Sequence, residues 1–354
     1  MDFSHAHLYV DDAAAWQRWF ENVLGFTAVN PQTIPGGTLP QTQTTAVKAG
    51  RVCFLLSSPL SRTSPVAQYL RERAPGVVDL AFCVRNLDDL LANAAAHGVK
   101  SLGPITTTVS DRGPCRWVRL SGWGGLQHTV MESRSVEALP ANLRGITGID
   151  HAVLNVPRGE MLAAVDWYEA AFTLRRHQAF AIQTARSALC SQVLQHPGGD
   201  LQLPINEPTS PTSQVQEFLD VNGGAGVQHI ALQTTDIVAT VRALRQRGLN
   251  FLTVPDTYYD TLSQRAGFSL SAAQQAAIAE AQILVDWQPG QSQTLLLQTF
   301  TQPIFGEPTF FFELIQRQTY DLRGVPQYAS GFGEGNFQAL FEAMEREQIK
   351  RGWL

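Results

Sequence analysis

Asp150-His151-Ala152-Val153-Leu154-Asn155-Val156 reads as a strand, with alternating residues that suit a half-buried sheet. Its near twin stands at the start of the chain, Ser4-His5-Ala6-His7-Leu8-Tyr9-Val10. Each strand runs on into an amphipathic helical stretch with a paired aromatic, Trp19-Phe20 in the first copy and Trp167-Tyr168 in the second. A second pair of blocks matches in the same order: Gly76-Val77-Val78-Asp79-Leu80-Ala81-Phe82 and Gly226-Val227-Gln228-His229-Ile230-Ala231-Leu232. Both lead to a helix that opens near Asn86 or Asp236 and stops at Gly98 or Gly248, where glycine suits a C-terminal cap. The offsets, 146 positions for His5/His151 and 150 for Asp79/His229, are close enough to indicate duplication. Repeated strand–helix–strand modules predict an α+β fold with helices covering one side of curved sheets.

The halves are expected to meet near Glu137-Ala138-Leu139-Pro140, giving domains over 1–138 and 145–354. Residues 255 to 285 read as an insertion with an alanine-rich helix around Ala272 to Ala281. From Gly333 the chain reads as a glycine-led turn and a final helix, Asn336 to about Gln348.

Composition narrows the possible partners. The 354 residues are 44% hydrophobic and 16% charged, with a net charge of −5 and no basic run, which argues for a globular chain and against nucleic acid. No apolar stretch approaches the ~18 residues of a membrane span. Met1-Asp2-Phe3-Ser4-His5 lacks the basic and apolar regions of a secretory signal. Cys53, Cys83, Cys115 and Cys190 form no CxxC pair, which fits a reduced, cytoplasmic setting and not a thiolate zinc site.

Three residues of the second half carry chemistry. His151 and His229 lie mid-strand, and Glu313 interrupts Phe310-Phe311-Phe312-Glu313-Leu314-Ile315. Burying an unpaired carboxylate costs several kcal/mol, and a metal removes that cost. Two imidazoles and a carboxylate leave about three octahedral positions open, the arrangement of non-haem Fe(II) oxygenases. A lone strand histidine is usually only a packed residue, so the assignment rests on the three together. The first half keeps His5, has Asp79 for the second histidine, and offers Val130 or Glu132 near the third position, so one site per chain is expected. His7, His97, His128, His177 and His196 have no partner spacing and read as structural.

Longer motifs lie around these ligands: Pro204-Ile205-Asn206-Glu207-Pro208, Gly224-Ala225-Gly226-Val227-Gln228-His229, Leu296-Leu297-Gln298-Thr299-Phe300-Thr301, Phe312-Glu313-Leu314-Ile315-Gln316-Arg317 and Gly331-Phe332-Gly333-Glu334-Gly335-Asn336-Phe337. In this order, over roughly residues 148 to 348, the chain closely resembles the 4-hydroxyphenylpyruvate dioxygenase family of the vicinal-oxygen-chelate superfamily. The resemblance implies two vicinal-oxygen-chelate domains, each of paired βαβββ modules in an open barrel-like sheet, with a C-terminal helix closing the active site. It places Fe(II) on His151, His229 and Glu313 of the C-terminal domain and leaves the N-terminal domain without metal. By position it also brings Ser191, Asn206, Gln214, Gln228, Gln298, Phe300, Phe311, Phe332, Asn336 and Phe337 to the substrate, with Gln228, Gln298 and Asn206 assisting catalysis. Gln228 adjoins His229, so alternation would point it away from the pocket unless the strand bulges. Phe310 and Phe312 are expected to pack as core. The segment Gln318 to Ser330 is longer than the family's usual link, and Gln183-Thr184-Ala185-Arg186 departs from its pattern.

The activity implied is conversion of 4-hydroxyphenylpyruvate and O2 to homogentisate and CO2, in tyrosine breakdown or in quinone or tocopherol synthesis, by a homodimer or homotetramer. The nearest rival is 4-hydroxymandelate synthase, which uses the same substrate and iron but hydroxylates the benzylic carbon; Pro204-Ile205-Asn206 favours the dioxygenase. A non-enzymatic ligand-binding protein on the same fold is a further alternative, and such proteins typically lack a full triad. Zinc hydrolysis ranks last, because no positioned general base accompanies the ligands.

Overall fold

The computed structural model describes residues 1–110, 113–133, 145–184, 186–288, 294–322 and 325–353. The expected junction near Glu137-Ala138-Leu139-Pro140 lies outside the described residues.

The first half folds into β1 (Asp2–Tyr9), α1 (Ala13–Trp19), β2 (Thr27–Val29), β3 (Thr42–Ala49), β4 (Val52–Pro59), α2 (Pro65–Tyr69), β5 (Gly76–Val84), α3 (Leu87–Ala96), β6 (Thr106–Ser110), β7 (Gly113–Ser121) and β8 (Gln127–Glu132). The second half begins with β9 (Ile146–Asn155), α4 (Met161–Phe172), β10 (Arg175–Gln183), β11 (Ala188–Gln195), β12 (Gln202–Pro208), α5 (Gln214–Asn222), β13 (Gly226–Thr234) and α6 (Ile237–Gln246). It continues with the insertion helices α7 (Asp256–Leu262) and α8 (Ala272–Glu280), then β14 (Leu284–Asp286), β15 (Leu296–Phe300), β16 (Phe311–Arg317), the hairpin β17 (Thr319–Leu322) and β18 (Val325–Tyr328), and α9 (Phe337–Arg351).

The two large sheets run β2-β3-β4-β1-β5-β8-β7-β6 and β10-β11-β12-β9-β13-β16-β15-β14. Strand for strand the orders coincide. Within each half the second βαβββ module mirrors the first, and the two leading strands pair antiparallel, β1 with β5 and β9 with β13. The duplication is therefore real in three dimensions. The helix starts read from sequence also hold: the side chains of Asn86 and Asp236 accept from the backbone N–H groups of Asp89 and Ala239 and so cap α3 and α6.

Strand alternation decides which face meets what. Phe310 and Phe312 are fully buried on the outer face of β16, where Phe312 meets Phe20 and Phe54 of the first half edge to face. The halves also meet through His128, which lies between the Leu80 carbonyl and the Tyr168 hydroxyl, 2.9 Å from each. His7 pairs with Ser57 at 2.7 Å, and both histidines are buried and structural as expected.

One assignment in the first half needs correction. β5 and β8 pair with Asp79 opposite Gln127 and Phe82 opposite Val130, so the position equivalent to Glu313 is Thr129, not Val130 or Glu132. Thr129 donates its backbone N–H and its hydroxyl to Asp79, whose carboxylate also faces Arg119 Nε at 3.5 Å. Asp79, hydrogen-bonded by Thr129 and ion-paired with Arg119, thus occupies the place of His229 in the first half.

Candidate metal centre

Three neighbouring strands bring the ligands together. β13 lies between β9 and β16, with Ala231 opposite both His151 and Glu313, and His229 enters one pair further along β13. His151 Nε2 lies 3.2 Å from Glu313 Oε2, and His229 Nε2 lies 3.5 Å from the same oxygen. All three ligand atoms fall within 4.8 Å of one another. Ligand atoms bound side by side to one ion at about 2.1 Å sit about 3 Å apart, so the two distances to Glu313 Oε2 suit one divalent metal that these three residues would hold.

Each imidazole is aimed by its other nitrogen. His151 Nδ1 bonds Asp150 Oδ1 at 2.9 Å, and His229 Nδ1 faces Gln228 Oε1 at 3.3 Å. Both Nε2 atoms are thereby left for the metal. Asp150 is held in turn by Arg317 at 2.7 and 2.8 Å and by Gln233 Nε2 at 3.1 Å. Burial opposes charge on Asp150, yet Arg317 overrides it and keeps the carboxyl well below its usual range. Burial would likewise lower the His151 pKa, but Glu313 and Asp150 outweigh it and raise it to about 9. Burial dominates at His229, whose pKa falls. Glu313 resists burial through His151 and His229 and stays below the ordinary carboxylate range.

A consequence can be measured. Without metal, His151 carries a proton below about pH 9 that must leave before Nε2 can bind an ion. The apparent metal affinity is expected to rise about tenfold per pH unit between about pH 6 and 8 and to level off above about pH 9, with about one proton released per metal. Calorimetric titration in buffers of different ionisation enthalpy reads that proton directly. A pH-independent affinity would contradict the assignment.

The ligands open into a cavity. Of the residues expected at the substrate, Asn206, Gln214, Gln228, Gln298, Phe300, Phe311, Phe332 and Phe337 line it. Gln228 reaches it because the pairing of β13 with β9 slips between Val227 and His229, the bulge that alternation required. Gln214 opens α5 and is only 8% exposed, so it is not on a solvated face. Ser191 does not line the cavity wall directly. It pairs with Asn206 across β11 and β12, buried behind the same face.

Asn336 lies elsewhere. It is not part of the lining; it accepts a 2.7 Å hydrogen bond from the Tyr258 hydroxyl and ties the start of α9 to the insertion. Val153, Phe180, Ile182, Leu189, Pro204, Leu340, Phe341 and Met344 complete the lining without having been picked out, because aliphatic and aromatic residues there read as core. Asp150 was equally missed, although its position directly before His151 is the signal that finds it.

The cavity is roofed by α9, which contributes Phe337, Leu340, Phe341 and Met344. The turn before it needs glycine: Gly331 and Gly333 have φ of +84° and +80°, and a Cβ on Gly333 would fall 2.2 Å from Gln298 Oε1. Arg351 clasps Glu217 of α5 with both contacts to Oε1 and Oε2 at 2.9 Å. The segment that departs from the family pattern touches the roof too, since the Thr184 hydroxyl donates to Glu345. The long link after Gln318 is the β17–β18 hairpin.

Paired βαβββ modules around a two-histidine, one-carboxylate centre define a metal-dependent member of the vicinal-oxygen-chelate fold. The chain belongs to the Glyoxalase/Bleomycin resistance protein/Dioxygenase superfamily, whose sequence model matches residues 2–116 and 148–269, and within it to the enzyme family that holds the 4-hydroxyphenylpyruvate dioxygenases. It is 34% identical to the 4-hydroxyphenylpyruvate dioxygenase of Caenorhabditis briggsae, covering 99% of this chain and 92% of that one. An uncharacterised protein of Synechocystis sp. is 35% identical over 98% of this chain and 97% of its own. A triple mutant of 4-hydroxymandelate synthase from Streptomyces coelicolor superposes with a TM-score of 0.82 at 28% identity, covering 98% of both chains. Among the described residues, no helix is long and apolar enough to cross a membrane.

Proposed function

We propose that the chain is a 4-hydroxyphenylpyruvate dioxygenase that converts 4-hydroxyphenylpyruvate and O2 to homogentisate and CO2 at a non-haem Fe(II). The observation that carries this reading is the triad His151, His229 and Glu313 opening into a neutral, phenylalanine-lined cavity beneath α9. Bound Fe(II) would supply the chelation of the 2-oxo acid and the activation of O2 for oxidative decarboxylation and ring hydroxylation.

The chain's own residues supply the rest. Phe300, Phe311, Phe332 and Phe337 offer aromatic faces and edges to a planar ring. Gln298 Oε1, Gln214 Oε1 and Ser191 Oγ are buried with no hydrogen-bond partner among the described residues. Leaving such atoms unpaired costs about 1–3 kcal/mol each, so a bound molecule whose hydroxyl donates to Gln298 or Gln214 in the lining recovers part of what folding gives up. Asn206, paired with Ser191, sets the polar end of the cavity on the β11–β12 side. Among the described residues the lining contains no carboxylate besides the metal ligand, and none is required, because the overall conversion moves one oxygen atom into the new carboxylate and one onto the ring without a general base. α9 keeps water from the reacting groups.

The runner-up is benzylic hydroxylation to 4-hydroxymandelate, favoured by the superposition on the synthase. Homogentisate and 4-hydroxymandelate are isomers, so the ring-proton pattern in NMR separates them and mass does not. Homogentisate as the main product is the expected result. 4-Hydroxymandelate alone would replace the proposal with the runner-up.

A further inference from the structure

Arg317 ends β16, the strand that carries Glu313. Its guanidinium reaches in two directions. Nε and Nη2 donate to Asp150 Oδ2 and Oδ1 at 2.7 and 2.8 Å, and Asp150 aims the His151 ring. Nη1 donates to the carbonyls of Ala329 and Gly331 at 3.0 and 2.9 Å. Those two residues precede Phe332 and the turn into α9. The Phe332 ring closes the circuit: its centroid lies 5.8 Å from Arg317 Cζ and 5.2 Å from the His151 ring.

Among the described residues, the other side-chain hydrogen bonds of the roof do not reach a metal ligand. Arg351 binds Glu217 on α5, Glu345 binds Thr184 beside β10, and Asn336 binds Tyr258 of the insertion. Arg317 alone among the described residues hydrogen-bonds both the carboxylate that positions a metal ligand and the hinge of the helix. The planar fork makes this possible, since one edge of the guanidinium saturates Asp150 while the remaining nitrogen still serves two carbonyls. A lysine could satisfy one side only.

We infer that Arg317 is a positioning residue that couples metal binding at His151 to closure of the C-terminal helix. Metal fixes His151, His151 fixes Asp150, and Asp150 holds the guanidinium where Ala329 and Gly331 dock. By linkage, the closed helix favours metal retention by the same factor with which metal favours closure. The roof then closes over a loaded site in preference to an empty one.

The inference rests on the metal reading of the triad, and the test separates the two. Amide hydrogen exchange over residues 329–341 is followed in wild type, Arg317→Lys and Asp150→Asn, each with and without saturating Fe(II) under anaerobic conditions. In wild type, Fe(II) is expected to slow exchange by about 5–150-fold, the usual span of coupling between two sites. In both variants that slowing is expected to vanish at saturation, while Fe(II) affinity falls by about 10–100-fold, as for other residues that orient metal ligands. Asp150→Asn leaves the bonds from Arg317 to the hinge available, so it removes the link without removing the staple. Variants that keep the wild-type slowing once saturated would show a structural staple and overturn the coupling. So would a wild type that binds Fe(II) with no change in exchange, whatever the variants do. A wild type that binds no Fe(II) would overturn the metal reading together with the inference.

Discussion

Replacing Glu313 by alanine is expected to abolish both Fe(II) retention and turnover while leaving the fold intact. Glu313 faces both histidines across 3.2 and 3.5 Å and is the only anion in the ligand set. Residues that merely orient a metal ligand are worth about 10–100-fold in affinity or activity, so losing a ligand should cost well over ~100-fold. Two neutral imidazoles would also leave the dication without compensating charge. The fold should survive because Glu313 points into the cavity, and Phe312, on the opposite face of β16, packs against Phe20 and Phe54 of the first half. Metal content after desalting and O2 uptake are the measurements, with far-UV circular dichroism as the control. Wild-type activity in this variant would sink the site assignment.

Deletion of residues 332–354 has the second-largest expected effect. The segment supplies Phe332, Phe337, Leu340, Phe341 and Met344 to the cavity. Without it the ring loses its clamp and the reacting groups meet water. Misplacement of a bound substrate by even 1 Å can cost on the order of 10²-fold, so turnover at saturating Fe(II) is expected to fall by at least about that factor. Fe(II) should still bind at high concentration, because His151, His229 and Glu313 lie upstream on β9, β13 and β16. That contrast separates the two predictions: one variant loses the ion, the other keeps it and loses the chamber. Rates unaffected by the truncation would remove the helix from the mechanism.

How much of this was legible in the sequence follows from the range of the interactions involved. The duplicated strands and the stops at Gly98 and Gly248 are local patterns, and the structure places them as read. The triad was legible because an acid inside Phe310-Phe311-Phe312-Glu313 has few explanations. Gln228 shows how a conflict can inform: alternation and motif disagreed, and the bulge at Val227/His229 reconciles them. Register between distant strands was less accessible. Choosing Val130 or Glu132 over Thr129 is an error of one residue or of three, and alternation gives a face without giving the pairing across it. The contact of Asn336 was not legible, because its partner, Tyr258, sits in an insertion 78 positions away. Arg317 reads as an ordinary strand end until Asp150 and Gly331 are seen on either side of it.

The central claim is that this chain uses a metal held by His151, His229 and Glu313 to join O2 to a phenolic 2-oxo acid. An oxygen-electrode trace of the purified chain with 4-hydroxyphenylpyruvate, before and after addition of Fe(II), tests it most directly. The account predicts no uptake without Fe(II), uptake on its addition with CO2 released in step, and none in Glu313→Ala. A folded, Fe(II)-loaded chain that consumes no O2 with this substrate would contradict it.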